Sequence, residues 1–170
     1  LGLAHTRLSI IDLSESSNQP LSSSFDNNVI VFNGEIYNFK DIKVDLLTRG
    51  VSFTTNGDAE VLLKGYSYYG NEIFSKIRGF YSVCIYNKVE ETLTLARDYF
   101  GKKPLYYINT GGEFIFGSEI KAIHPVLNNS LEVNYDSLSH FLWKGYYVNG
   151  DSAFKNIKSL LPGQILKINI

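Results

Sequence analysis

The sequence predicts an α+β fold with antiparallel sheets. Extended stretches come in pairs joined by turn signals: residues 80–86 pair with 92–97 across 87–91, and 105–108 with 114–116 across Thr110-Gly111-Gly112. Tight connections of this kind join antiparallel neighbours. Helical patterns fall in blocks of their own, 39–48 followed by 58–69, instead of alternating with single strands; a parallel βαβ sheet needs that alternation.

Taken in order, Leu3-Ala4-His5 reads as a strand end and residues 8–11 as a second short extended run, with Arg7 between them. Residues 14–25, rich in Ser, Asn and Pro, read as a loop. The apolar run Val29 to Phe32 reads as a buried strand ending in a tight turn at Asn33-Gly34. Asn38 is placed to cap a helix over 39–48 with Phe39, Ile42, Leu46 and Leu47 on one face and Gly50 past its end. Asp58 opens the next helix, 58–69, which Gly70 stops. Short helices are predicted over 73–77 and 118–123, and a longer one over 135–144 with an apolar stripe of Leu138, Phe141 and Leu142. Residues 164–170 read as the last strand.

A net charge of -1 carries no electrostatic footprint for nucleic acid or an anionic membrane surface. No apolar run approaches the ~18 residues of a membrane span, and no signal peptide is visible. One cysteine, Cys84, excludes an internal disulfide and suits a reducing, cytoplasmic setting. The chain has Met 0, opens on Leu1 in a strand-like stretch and ends on Ile170 in another. It is therefore expected to be an internal piece of a longer protein, leaving some apolar sheet surface exposed.

The chemistry centres on Ile30 to Asn38. Asn33-Gly34 reads as an ordinary turn, since both residues tolerate φ > 0, or as an anion site, where an Asn amide and a Gly N–H aim at one developing oxyanion. Glu35 beside them suits an ammonium group. Arg7 is either an ion-paired surface residue or a bidentate clamp on a carboxylate. Asp58 is either a first-turn acid favoured by the helix dipole or part of the same pocket. Together Arg7, Asn33, Gly34, Glu35 and Asp58 suit a free amino acid with a side-chain carbonyl. Cys84 lies among Val83 and Ile85 in mid-strand and reads as a buried structural thiol away from that pocket. His5, His124 and His140 show no metal-ligand spacing, so no metal is expected. Neither a phosphate-binding glycine loop nor a Gly-x-Ser-x-Gly elbow is present.

Several ordered motifs resemble one family. Ala4-His5-Thr6-Arg7-Leu8-Ser9-Ile10-Ile11-Asp12, Asn33-Gly34-Glu35-Ile36-Tyr37-Asn38 and Gly57-Asp58-Ala59-Glu60-Val61 are similar to the glutaminase domain of glutamine-hydrolysing asparagine synthetases. Arg78-Gly79-Phe80-Tyr81, Ala96-Arg97-Asp98, Pro104-Leu105-Tyr106-Tyr107, Phe116-Gly117-Ser118-Glu119-Ile120-Lys121-Ala122 and Leu161-Pro162-Gly163 follow in the same order.

The resemblance implies a class II glutamine amidotransferase domain over residues 1–170, with the N-terminal-nucleophile fold, a four-layer αββα sandwich, here incomplete. It implies that Arg7, Leu8, Ser9, Ile10 and Ile11 line the glutamine site, with Arg7 on the carboxylate. Asn33 and Gly34 would form the oxyanion hole; Glu35 and Asp58 would hold the amino group. The family's nucleophile, an N-terminal cysteine using its own α-amino group as base, is absent from this chain, as is the C-terminal synthetase domain that binds ATP and magnesium. No cofactor is expected in this fragment, which should be inactive alone. A homodimeric parent is allowed. Two other functions stay open: a class II amidotransferase serving another acceptor, such as a phosphosugar or a surface-polysaccharide precursor, and a non-catalytic glutamine-binding module.

Overall fold

The computed structural model of the protein describes residues 1–8, 11–23, 27–127 and 131–170. In chain order its elements are β1 (Leu21–Ser22), β2 (Asn28–Ile36), α1 (Phe39–Thr48), α2 (Asp58–Tyr69), α3 (Ile73–Lys76), β3 (Gly79–Asn87) and β4 (Thr92–Arg97). Then come β5 (Tyr106–Asn109), β6 (Phe114–Gly117), α4 (Ile120–Ile123), α5 (Tyr135–Lys144), β7 (Lys158–Ser159) and β8 (Ile165–Asn169). They form two compact units, Leu1–Ala96 with Ile165–Ile170, and Arg97–Gln164.

The first unit is organised by a sheet in the order β1-β2-β3-β4-β8. Strands β2 and β3 pair antiparallel without a break from Asn28↔Asn87 to Ile36↔Gly79. Strand β8 closes the far side against β4, Thr92 opposite Asn169 and Ala96 opposite Ile165. Side chains alternate across a strand, so Ile30 and Phe32 face one way with Val83 and Ile85. On them pack Ile42 and Leu46 of α1 and Leu62 and Leu63 of α2. Each such side chain contributes roughly 1.5–3 kcal/mol by burial, which is why the two helices lie together over the sheet. Val29, Val31, Cys84, Leu93 and Leu95 face the other way and are buried too. The expected exposure of apolar sheet surface does not occur there.

Helices α1, α2 and α5 occupy the predicted stretches. Asn38 does not cap α1 with its side chain, which instead accepts Arg78 N–H (2.7 Å) and donates to Lys76 O (3.0 Å). Three other expectations fail. Asn33-Gly34 is not a turn: β2 runs through both to Ile36. The turn signal is local, and it loses to long-range pairing with β3. Two missing side chains make that pairing close, because a Cβ on Gly34 would lie 2.2 Å from the Phe80 carbonyl oxygen and one on Gly79 2.1 Å from that of Glu35. Residues 1–8 form no strand; of the run predicted over 8–11, Ser9 and Ile10 lie outside the described residues. The stripe of α5 is not core either, since Phe141 and Leu142 are exposed and only Ser137 of that helix is buried.

The second unit carries a sheet in the order β6-β5-β7, antiparallel in both pairs, over a small core of Ile108, Ile123 and Ile157. Its entry loop is held by two neighbouring charges. Asp98, 0% exposed, accepts backbone N–H groups from Phe100 (3.1 Å), Lys102 (3.0 Å) and Lys103 (3.0 Å). Arg97 donates to the carbonyls of Lys103 (2.8 Å), Gly101 (2.7 Å) and Leu160 (2.6 Å) and to Ser159 Oγ (2.9 Å).

Candidate functional site

Strand β2 presents its outer edge as a row of backbone groups. In an antiparallel ladder successive residues turn their N–H groups to opposite edges. Tyr37 donates to Arg78 O (2.7 Å), so odd-numbered residues bond towards β3. The even-numbered ones face outward. Phe32 N–H donates to the side-chain Oε1 of Gln19 (2.6 Å), and Ile36 N–H to Asp58 Oδ2 (2.9 Å). Gly34 lies midway, and its N–H points along the same edge between those two closed positions. Asn33 sits opposite Ser82, on the sheet face away from α1 and α2.

Asp58 reaches this edge because α2 begins with it. Burial raises its pKa; the Ile36 N–H and the first amides of α2 pull it back, and the charge of nearby Glu35 adds to the rise. Asp58, buried, and Glu35, exposed, are thus neighbouring acids. Glu60, two residues further into α2, does something different. Burial alone would raise its pKa, but the Lys64 ammonium and the donors of Thr54 and Thr55 outweigh it and bring it to about 2. Its carboxylate folds back the turn before the helix, accepting Thr55 N–H at 2.6 Å and Thr54 N–H at 2.9 Å.

Arg7 belongs to the segment that wraps onto this turn. Its guanidinium donates to Ser14 O (3.1 Å), Asn18 Oδ1 (3.2 Å) and the carbonyl of Asp12. Asp12 in turn accepts Ser14 N–H (2.8 Å) and Asn56 N–H (2.8 Å); the Ser14 hydroxyl, together with these N–H groups, holds its pKa well below the usual carboxylate range. Gly57 follows Asn56, and Asp58 follows Gly57. Arg7, Asp12, Asn56, Asp58 and the β2 edge are therefore consecutive links of one connected structure. Leu8 is exposed and Ile11 half-buried; Ser9 and Ile10 lie outside the described residues.

Cys84 is buried in mid-sheet, and burial pushes its thiol pKa up, which keeps it protonated and unreactive. It stands closer to the site than the sequence suggests. It pairs with Val31, on the same sheet face as Asn33 and one odd-numbered pair along. A cavity of about 320 Å³ lined by Arg49, Ser52, Lys64, Ser67 and Tyr68 among others shares no residue with the site. Its cations are already engaged, Lys64 with Glu60 (2.7 Å) and Arg49 with Asp45 (3.0 Å).

Sequence reasoning missed Gln19, Asp12 and Glu60. For Asp12 an Asx-turn signal was available in Asp12-Leu13-Ser14. Gln19 sits in a stretch that reads only as loop, and nothing local marks its partner 13 residues away. No group of His, Cys, Asp and Glu among the described residues could hold a metal ion, and no described helix is long and apolar enough to cross a membrane.

The β2 edge thus brings together the Gly34 N–H, Asn33 and the acids Glu35 and Asp58. The glutamine amidotransferase domain profile matches residues 1–170, and the chain belongs to that family. It is 37% identical over 163 residues to the glutamine-hydrolyzing asparagine synthetase 1 of Bacillus subtilis strain 168, covering 96% of this chain and 26% of that protein. It is 34% identical over 167 residues to asparagine synthetase 3 of the same strain, covering 95% of this chain and 27% of that protein. The chain thus spans about a quarter of the length of these curated relatives. Among solved structures, the glutamine phosphoribosylpyrophosphate amidotransferase of B. subtilis superposes with a TM-score of 0.66 at 23% identity, over 97% of this chain and 32% of that one. The α+β fold of antiparallel sheets and helices is shared with that structure.

Proposed function

We propose that this chain is the glutaminase part of a glutamine-dependent asparagine synthetase, a cytoplasmic enzyme. In this reading residues 1–170 are its partial type-2 amidotransferase domain. Arg7 binds the α-carboxylate of glutamine, Glu35 and Asp58 the α-ammonium, and residues 8–11 line the side chain. A cysteine at the mature N-terminus of the parent, ahead of Leu1, is the nucleophile. Its thiolate attacks the side-chain amide carbon. The oxygen gains negative charge and is met by the Gly34 N–H and the Asn33 side-chain amide. The C–N bond breaks, ammonia leaves with the proton carried by the cysteine's own α-amino group, and water cleaves the thioester to glutamate. Ammonia then passes to a C-terminal synthetase domain of the parent, which would bind ATP and magnesium and amidate aspartate, giving asparagine, AMP and pyrophosphate. No residue of this chain is assigned to the nucleotide or the metal.

The observation that carries this reading is the Gly34 N–H on an edge whose flanking donors, on Phe32 and Ile36, are already bound. The test is the parent protein assayed for asparagine from aspartate and ATP, with glutamine or with ammonia as nitrogen donor. Asparagine is formed with both. Glutamine hydrolysis without amidation of aspartate would point to another acceptor, and no glutamine hydrolysis would remove the enzymatic reading.

A further inference from the structure

We infer that Gln19 is a positioning residue for the oxyanion hole; the inference rests on the glutaminase reading above. Strand β1 ends its pairing with β2 at Leu21↔Ile30. Among the described residues β2 has no strand on its outer side beyond that point, yet Phe32 is paired there as if it had one. Gln19 Oε1 accepts the Phe32 N–H (2.6 Å) and Gln19 Nε2 donates to the Phe32 carbonyl (3.1 Å). A single side-chain amide thus supplies the donor and the acceptor that a neighbouring strand would supply. The Phe32 backbone also faces the half-buried His5, whose charged form it favours against burial.

The consequence falls on the next two residues. An edge strand with unpaired groups twists and frays. Here the outward row is fixed at Phe32 by Gln19 and at Ile36 by Asp58, and among the described residues the Gly34 N–H between them is the one left for a ligand. Oxyanion donors act through preorganisation, since they must already point where charge will develop. Gln19 supplies that order at the Phe32 end and touches no part of the substrate in this arrangement.

The test uses the full-length parent with Gln19→Leu, which keeps the bulk and removes both hydrogen bonds. The kcat for glutamine hydrolysis falls by about 10-fold to 100-fold, the scale of a small misplacement of a catalytic group. The KM for glutamine and the ammonia-dependent rate stay within about 2-fold, because substrate anchors and second domain are untouched. Gln19→Glu keeps an acceptor for the Phe32 N–H and retains more kcat than Gln19→Leu. Unchanged kcat in Gln19→Leu overturns the inference. So does a parallel loss of glutamine- and ammonia-dependent activity in both variants, or failure of both to fold, since either makes Gln19 a general fold residue. A wild-type parent that does not hydrolyse glutamine overturns the functional reading itself, whereas one that does, with Gln19 variants at wild-type kcat, overturns this inference alone.

Discussion

Two polar clusters in this molecule look alike in composition and differ in what they leave open. In the Arg97-Asp98 loop a buried acid takes three backbone N–H groups, and the neighbouring guanidinium takes three carbonyls and a hydroxyl. That loop is closed on itself. At the β2 edge Gln19 and Asp58 close the positions on either side of Gly34 and stop there. A fully satisfied network stabilises a backbone path; a network satisfied around one open donor presents that donor. Both contain an Asp that accepts backbone amides, so the acid alone does not distinguish a structural knot from a site.

The largest effect that sharpens this contrast is on Asp98→Ala. Three N–H groups lose their acceptor, and each buried unsatisfied group costs about 1–3 kcal/mol, so chemical denaturation of the parent shows a loss of about 3 kcal/mol or more. A variant that kept its stability but lost glutamine turnover would place the loop in the site and break the comparison. Next comes Asn33→Ala, which lowers kcat with glutamine by about 10²–10³ while KM moves little. The ammonia-dependent rate survives; its equal loss would mean that Asn33 holds the fold. Third is Arg7→Ala, which removes a charge-assisted contact worth about 1.5–3 kcal/mol and raises glutamine KM accordingly. Because Arg7 also holds the carbonyls of Asp12 and Ser14, a small drop in melting temperature accompanies the KM effect. A melting drop without any KM change would assign Arg7 to the loop alone.

The smallest effect is a matter of sign within helix α2. The pKa of Glu60 is depressed from 4.5 to about 2. Its contribution to stability is complete above pH 4.5 and is lost as pH falls towards 2. Asp58 runs the other way. Its pKa is raised from 3.8, so the folded state binds the proton more tightly, and its ionisation reduces stability as pH rises from 3.8 through the raised value. Glu60→Gln flattens the acid limb of the stability curve, and Asp58→Asn removes a decline on its far side. Identical responses in the two variants would erase the difference between a capping acid and a site acid.

Local signals placed α1, α2 and α5 to the residue, because a 3.6-residue period and its flanking turn residues are written within one element. The motifs that resemble the asparagine synthetase family carried Arg7, Asn33, Gly34, Glu35 and Asp58 in the same way, as neighbours in short strings. What those strings did not contain was the partner. Asn33-Gly34 reads as a turn in isolation, and it became strand only because Ser82 and Tyr81 lie opposite. Gln19 reads as loop, and it became a surrogate strand because β1 stops short of Phe32. The face of α5 reads as an apolar stripe, and Phe141 and Leu142 on it are exposed.

The sequence by itself determined which residue types are available and where the chain turns helical, since capping and periodicity act over a few residues. Tertiary structure alone decided which backbone N–H stays open. Hydrogen-bond satisfaction on a strand edge depends on groups separated by 13 residues at Phe32 and 22 at Ile36, and no local pattern records a partner at that distance.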